Sequence, residues 1–336
     1  MFGKIFDWFA FSERRWVPPL ITALGVLLIV ATIVGWYWSR EPSIFWVDDS
    51  RNDESATIGF ATTSTLIRVS ETLMEKPGGL LVNDVMPPSL FLDNMPSWEI
   101  GVLLQVRDLA RILQNDYSRS QSQSTADQDL LDAEAAFFIG YDSWMFPAAE
   151  SKYRDGVASL RNYQSRLLDA GDSDAQFFAR ADNLREWLGL VEKRLGNLSQ
   201  RLTASVGQAR VNTDLAGDSA ASAGGGRSAS ADVIVKTSWW DIDNVFYEAR
   251  GTAWALVHFL RATQFDFADV LEDKNATVSL RQIIRELEAS LAPVSSPMIL
   301  NGKGYGMFAN HSLVMASYLS RANAAVIDLR ELLDQG

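Results

Sequence analysis

The chain has 336 residues, 47% of them hydrophobic and 11% aromatic, enough for a large core and too much for a disordered chain. Its net charge of −12 repels a phosphate backbone and argues against nucleic acid as a partner. There is no cysteine, which removes disulfides, thiolate nucleophiles and cysteine-ligated metals.

Charge is uneven along the chain. Residues 1–40 hold four basic and two acidic side chains, so the remainder carries a net −14. Pro18 to Trp38 reads PPLITALGVLLIVATIVGWYW, without a charge. A helix of that length spans ~31 Å, the thickness of a bilayer's hydrocarbon core. Trp16 at one end and Trp36, Tyr37 and Trp38 at the other suit the two headgroup belts. The run is too long for a cleaved signal peptide, and bulky aromatics stand where cleavage needs small residues, so it reads as an uncleaved signal-anchor. Arg14 and Arg15 flank its N-terminal side, with Lys4 further out; beyond Arg40 come Glu41, Asp48 and Asp49. The positive-inside rule then predicts a cytoplasmic tail over 1–17, a bilayer span over 18–38 and, in a bacterium, a periplasmic domain beyond. The segment MFGKIFDWFAF is expected to lie along the inner interface. A tail this short has no room for a signalling output domain.

After residue 50 helical periodicity dominates. Apolar stripes run Ile58, Thr62, Thr65, Val69, Leu73; then Trp98, Val102, Val106, Leu109, Leu113; then Leu130, Phe137, Phe138, Tyr141; then Tyr153, Val157, Leu160, Leu167. The strongest pattern lies between Asp174 and Val206. Phe177, Leu184, Val191 and Leu198 recur every seven residues, paired four residues later with Ala181, Leu188, Leu195 and Leu202. This predicts a long coiled-coil-like helix, capped at its start by Asp172 or Ser173. Its seam is expected to pair antiparallel within the domain, with a homodimer through Asp174–Val206 as the alternative.

Gly207 to Ala231 is rich in Gly, Ser and Ala without an apolar period, and predicts a flexible linker or an excursion from the fold. Helical stripes resume with Val245, Ala249, Thr252, Leu256, Leu260, then Leu280, Ile284, Leu287, Leu291 before Pro293, and last Leu313, Ala316, Leu319, Ala322, Val326, Leu329, Leu333. Short extended pieces are expected only near Gly79–Val85 and Met298–Leu300. The predicted fold class is all-α: one N-terminal transmembrane helix, a helical block over 39–206, the linker 207–231, and a second block over 232–336 packed on the first.

Two aperiodic segments stand out. Lys76–Gly101 interleaves Gly and Pro with Asp84, Asp93, Asn94, Trp98 and Glu99, the composition of a binding loop. An ordered crossover, with Asp93 or Ser97 capping the next helix, accounts for it equally well. Ser296–Ser312 carries Gly302, Gly304 and Gly306, whose amides can face an anion, but it lacks the GxxxxGK[ST] spacing of a nucleotide loop. Asn310 or Ser312 as the cap of the last helix is the simpler reading, with His311 beside them. In WWDIDNVFYEARG, Asp241 and Asp243 begin like a calcium loop, but Val245 and Phe246 fall where a ligand and a glycine are needed. They read instead as charging a helix's first turn, with Glu248 and Arg250 as further ligand-binding candidates. His258 lies among apolar neighbours and reads as a packed histidine. Neither HExxH spacing nor a nucleophile elbow is present, so no catalytic residue, metal or cofactor is predicted.

The stretches NDVMPPSLFLDNMPSWEIGVLLQVRD, WWDIDNVFYEARGTAWAL, and SPMILNGKGYG followed by ANHSLVMASYLSRANAAVIDLR resemble a family of proteobacterial inner-membrane proteins, domain of unknown function 2333. The resemblance covers most of the chain beyond the anchor, with the Gly/Ser/Ala segment as an insert. It implies a bacterial inner-membrane location and brings no activity with it. The expectation is a non-enzymatic, membrane-anchored periplasmic scaffold with an envelope protein as partner. The alternative is a ligand-binding or glycan-hydrolysing domain using the two aperiodic segments. The two separate on whether Asp84, Asp93, Glu99, Asp241 and His311 converge on one cleft or are consumed by caps and ion pairs.

Overall fold

The structure, a computed structural model, describes residues 17–46, 57–120, 125–169, 174–211, 232–296, 298–303 and 306–335. The N-terminal tail with its basic pair, Asp172, Ser173, the body of the Gly/Ser/Ala segment (212–231) and Gly304 lie outside the described residues.

Helix α1 (Val17–Trp38) stands apart from the rest. Only 6% of its apolar window Ile21–Trp38 is buried, so its leucines and isoleucines face outward rather than into a core. It is long and apolar enough to cross a membrane. The remainder is all-α, as its periodicity predicts. It comprises α2 (Phe60–Glu75), α3 (Asn94–Ile112), α4 (Gln128–Phe137), α5 (Ala149–Leu168), α6 (Ala181–Thr203), α7 (Ile242–Asp266), α8 (Ala268–Asp273), α9 (Thr277–Ser290) and α10 (His311–Asp334). One short ribbon interrupts them. Strands β1 (Gln208–Val211) and β2 (Asp232–Val235) pair antiparallel, Gln208 opposite Val235, and bring the two ends of the Gly/Ser/Ala segment together. The extended piece expected near Gly79–Val85 is a series of turns, and beside Met298–Leu300 there is a single bridge between Asn301 and Asn310.

The long amphipathic helix forms, but later than its heptads suggest. α6 starts at Ala181 with Arg180 at the cap position and no side-chain cap bond; the expected caps, Asp172 and Ser173, lie outside the described residues. Phe177 precedes the helix and packs on Tyr117 and Phe267, at 5.1 and 5.8 Å between rings. An aromatic cluster outcompetes the first heptad. Ala181 is half-buried, and the other seam residues, Leu184, Leu188, Val191, Leu195, Leu198 and Leu202, are buried. They face α10, which runs antiparallel: Arg185 meets Asp334 at one end, and Ser199 meets Ser320 toward the other.

At the centre, α3 and α7 run side by side in the same direction. Asp93 lies near Asp243 where they begin, Trp98 packs on Trp254 at 5.2 Å, and Tyr117 packs on Phe267 at 5.2 Å where they end. Their backbones touch because two glycines meet there. A Cβ on Gly101 would lie 2.1 Å from the Glu248 carbonyl oxygen, and one on Gly251 would lie 2.0 Å from that of Trp98. Two helices this close exclude any side chain from the crossing.

The chain leaving α1 is strapped along α7. Glu41 accepts two bonds from Arg250, at 2.6 and 2.8 Å, and four residues later the Phe45 amide donates to His258 Nε2 at 3.1 Å. Eight helical residues rise ~12 Å, so the strap advances about 3 Å per residue and is nearly fully extended. The Phe45 ring stacks on His258 at 3.8 Å, with the Arg68 guanidinium 4.0 Å from the ring centre on α2. Because Nε2 accepts, Nδ1 carries the ring proton and donates to the Trp254 carbonyl at 2.7 Å.

Burial pushes His258 down to about 3, and the Arg261 and Arg68 cations add to this against its bond to Trp254. The unfolded chain therefore takes up a proton below pH ~6.5, whereas the folded chain resists until about 3. From this group alone, stability falls by ~1.4 kcal/mol per pH unit on acidification through that window. Glu99 and Asp266, whose carboxyls burial raises, act in the opposite sense, so the histidine is read by difference. The stability gap between wild type and His258→Asn in urea titrations should narrow as pH falls from 6.5. A gap independent of pH would show an ordinary histidine.

Candidate functional site

All the candidate residues gather at one end of the bundle, the end from which α1 departs. Four connections meet there: residues 76–93, 138–148, the ribbon with residues 236–241, and 291–310. The order of ends follows from the contacts. The Trp38 ring covers Gly78, whose φ is +89° and whose Cβ would lie 2.8 Å from Trp38 Cγ. Asn83 bonds the Ser143 carbonyl and Glu150, joining the first connection to the second. Trp239 and Asn301 line one cavity, joining the third to the fourth.

Proximity does not bring these residues into one cleft. Glu99 is fully buried under the first connection, where Lys76 Nζ approaches Oε1 at 2.5 Å with both side chains out of solvent. Glu99 also accepts the Leu81 and Val82 amides, and Lys76 donates to the Gly79 carbonyl. Burial pushes the Glu99 carboxyl up and the Lys76 ammonium down, each opposed by the other's charge. The pair ties a turn to the first turns of α3.

Asp84 accepts the Met86 amide in its own turn. Asp93 stands at the N-cap of α3 without a side-chain cap bond; its carbonyl receives Ser97. Asn94 opens α3, and the Trp98 ring is wholly buried against Trp254. Asp241 precedes α7, and Asp243 in its first turn is raised, chiefly by burial and then by the Asp93 charge. Glu248 takes Arg201 at 2.8 Å. Asn310 caps α10 by accepting the Leu313 amide, and His311 Nδ1 accepts the Leu300 amide.

Arg250 and His311 do share a cleft of about 240 Å³ between α7, α9 and α10, with Phe246, Val294 and Tyr318. Arg250 nevertheless has nothing left to offer. Its five N–H groups go to the two Glu41 oxygens and to the carbonyls of Ser290, Leu291 and Ala292, where they close the end of α9. Among the described residues, no group of three His, Cys, Asp or Glu is placed to hold a metal ion.

Sequence reasoning passed over several residues that matter most. Lys76 pairs with Glu99 across the first connection, whereas Glu41 and Asp266 have partners far along the chain, the last receiving the Gly59 and Thr62 amides at the start of α2. No local pattern marks a charge whose partner lies about two hundred residues away.

The architecture defines a class: a helical domain strapped to an N-terminal helix apolar enough to cross a membrane. Residues 11–336 match the model of a bacterial family described as uncharacterized protein conserved in bacteria (DUF2333), and the chain belongs to this family. No curated protein and no solved structure matches it.

Proposed function

We propose that the chain is a non-enzymatic scaffold of the bacterial inner membrane, with α1 spanning the bilayer, the N-terminus cytoplasmic and the helical domain periplasmic. The observation that carries this reading is the consumption of the polar side chains that a ligand or substrate would need. Glu99, Glu248, Arg250, Asn310 and His311 all have partners inside the fold. Such a domain offers surface and rigidity rather than chemistry, and its partner is an envelope protein.

The competing reading is a periplasmic ligand in the cleft beside Arg250 and His311, favoured by the cleft's volume of about 240 Å³. It is weakened by the saturation of Arg250. Photo-crosslinking in cells followed by pull-down of the full chain should recover defined envelope proteins, and Asp241→Asn and His311→Ala should leave the deletion phenotype complemented. Loss of complementation at normal protein level, with no crosslinked partner, would favour the ligand reading. A C-terminal alkaline phosphatase fusion should be active; an inactive one would reverse the topology.

A further inference from the structure

The exposed large apolar side chains of the domain are concentrated at the α1 end, on all four connections. Leu90 and Phe91 project from the first, Trp144 and Phe146 from the second, Trp240 from the third and Phe308 from the fourth. Phe91 is 77% exposed, Phe146 91% and Trp240 77%. Among the described residues, those away from this end are scattered, such as Trp46 on the strap, Ile58 and Val278, which a soluble surface tolerates. Aromatic and long aliphatic side chains exposed at the end from which an apolar helix departs have the composition of a bilayer interface.

One contact sets the depth. A Cβ on Gly35 would lie 3.7 Å from both Leu92 Cδ2 and Pro88 Cβ. Gly35 lies three residues inside the end of α1 at Trp38, about 4.5 Å along the axis. The Pro88–Leu92 turn is therefore level with the last turn of the apolar helix. Just beyond it, Arg40 sits over the Trp36 ring at 4.1 Å, where a cation and an indole mark the headgroup layer.

We infer that the α1 end of the domain is embedded in the headgroup and upper acyl layer of the same bilayer that α1 crosses. Leu90 and Phe91 enter deepest, and Phe146, Trp240 and Phe308 ring them. The inference rests on α1 spanning the membrane and adds a second, broad attachment. The contact is apolar: Asp84, Asp93 and Asp241 on this end give no attraction to anionic lipid.

The absence of native cysteine makes single-site nitroxide labelling of the full chain direct. Labels at Phe91→Cys, Phe146→Cys, Leu27→Cys and Val278→Cys, in chain reconstituted into phosphatidylcholine vesicles, would be read by collision with oxygen and with a water-soluble nickel chelate. The expected result is several-fold lower nickel collision at 91 and 146 than at 278, approaching the value at 27, and unchanged by raised salt. If positions 91 and 146 match 278 while 27 stays shielded, the anchor stands and the embedded face is overturned. If 27 also matches 278, both fall.

Discussion

Glu99→Ala is expected to destabilise the domain by about 3–5 kcal/mol, because it leaves the Lys76 ammonium buried without a counter-charge and two amides without an acceptor. Exposed ion pairs are worth under ~1 kcal/mol, and this pair is unlike them because neither side chain reaches water. Lys76→Met should cost less, since Glu99 keeps the Leu81 and Val82 amides and burial already favours its protonated form. The double variant Lys76→Met/Glu99→Gln should be more stable than Glu99→Ala alone, because no isolated charge remains. Urea unfolding of the three variants tests this order. A Glu99→Ala loss under ~1 kcal/mol would mean that Lys76 finds water or simply deprotonates there.

Gly251→Ala is expected to cost at least about 3 kcal/mol, at the upper end for an overpacked site. Its new methyl would meet the Trp98 carbonyl at 2.0 Å, and a helical backbone on the far side cannot swing away as a side chain does. The two central helices must part, and Trp98 and Trp254 lose contact as they do. Gly101→Ala strikes the same crossing at 2.1 Å from the Glu248 carbonyl, so the double variant should cost less than the two single losses together. Gly196→Ala is the control. It also lies in a helix, but its nearest neighbour would be Asn323 Nδ2 at 3.7 Å, and the better helix former should stabilise by ~0.5–1 kcal/mol. Thermal unfolding that ranked Gly251→Ala with Gly196→Ala would refute the close crossing.

Periodicity made the helices legible, because each element buries one stripe and the stripe repeats with the helical turn. The α6 seam from Leu184 to Leu202 was readable for that reason, and so was the Asn310 cap of α10. What stayed hidden depends on chain crossings. Nothing near Glu41 announces that Arg250 will hold it, and the spacing of Gly101 and Gly251 does not reveal that they meet. Phe177 fits the heptad by spacing yet belongs to a different cluster, since Tyr117 and Phe267 are brought to it by other helices. The candidate site was legible in location only. Its residues do gather at one end, but a sequence does not say which polar groups the fold will use up.

The strap leaves the domain almost no tether. Ser39 donates back to the Gly35 carbonyl, Arg40 lies on Trp36, and Glu41 is already fastened to Arg250. A flexible leash would let a domain sweep a deep volume above its anchor. Here the reach is set by the length of the bundle itself: α7 has 25 residues, ~37 Å of helix. The helical body thus occupies a layer roughly 40 Å deep next to the bilayer that α1 is proposed to cross. A partner of the kind proposed would either live in that layer or send a segment of its own down into it.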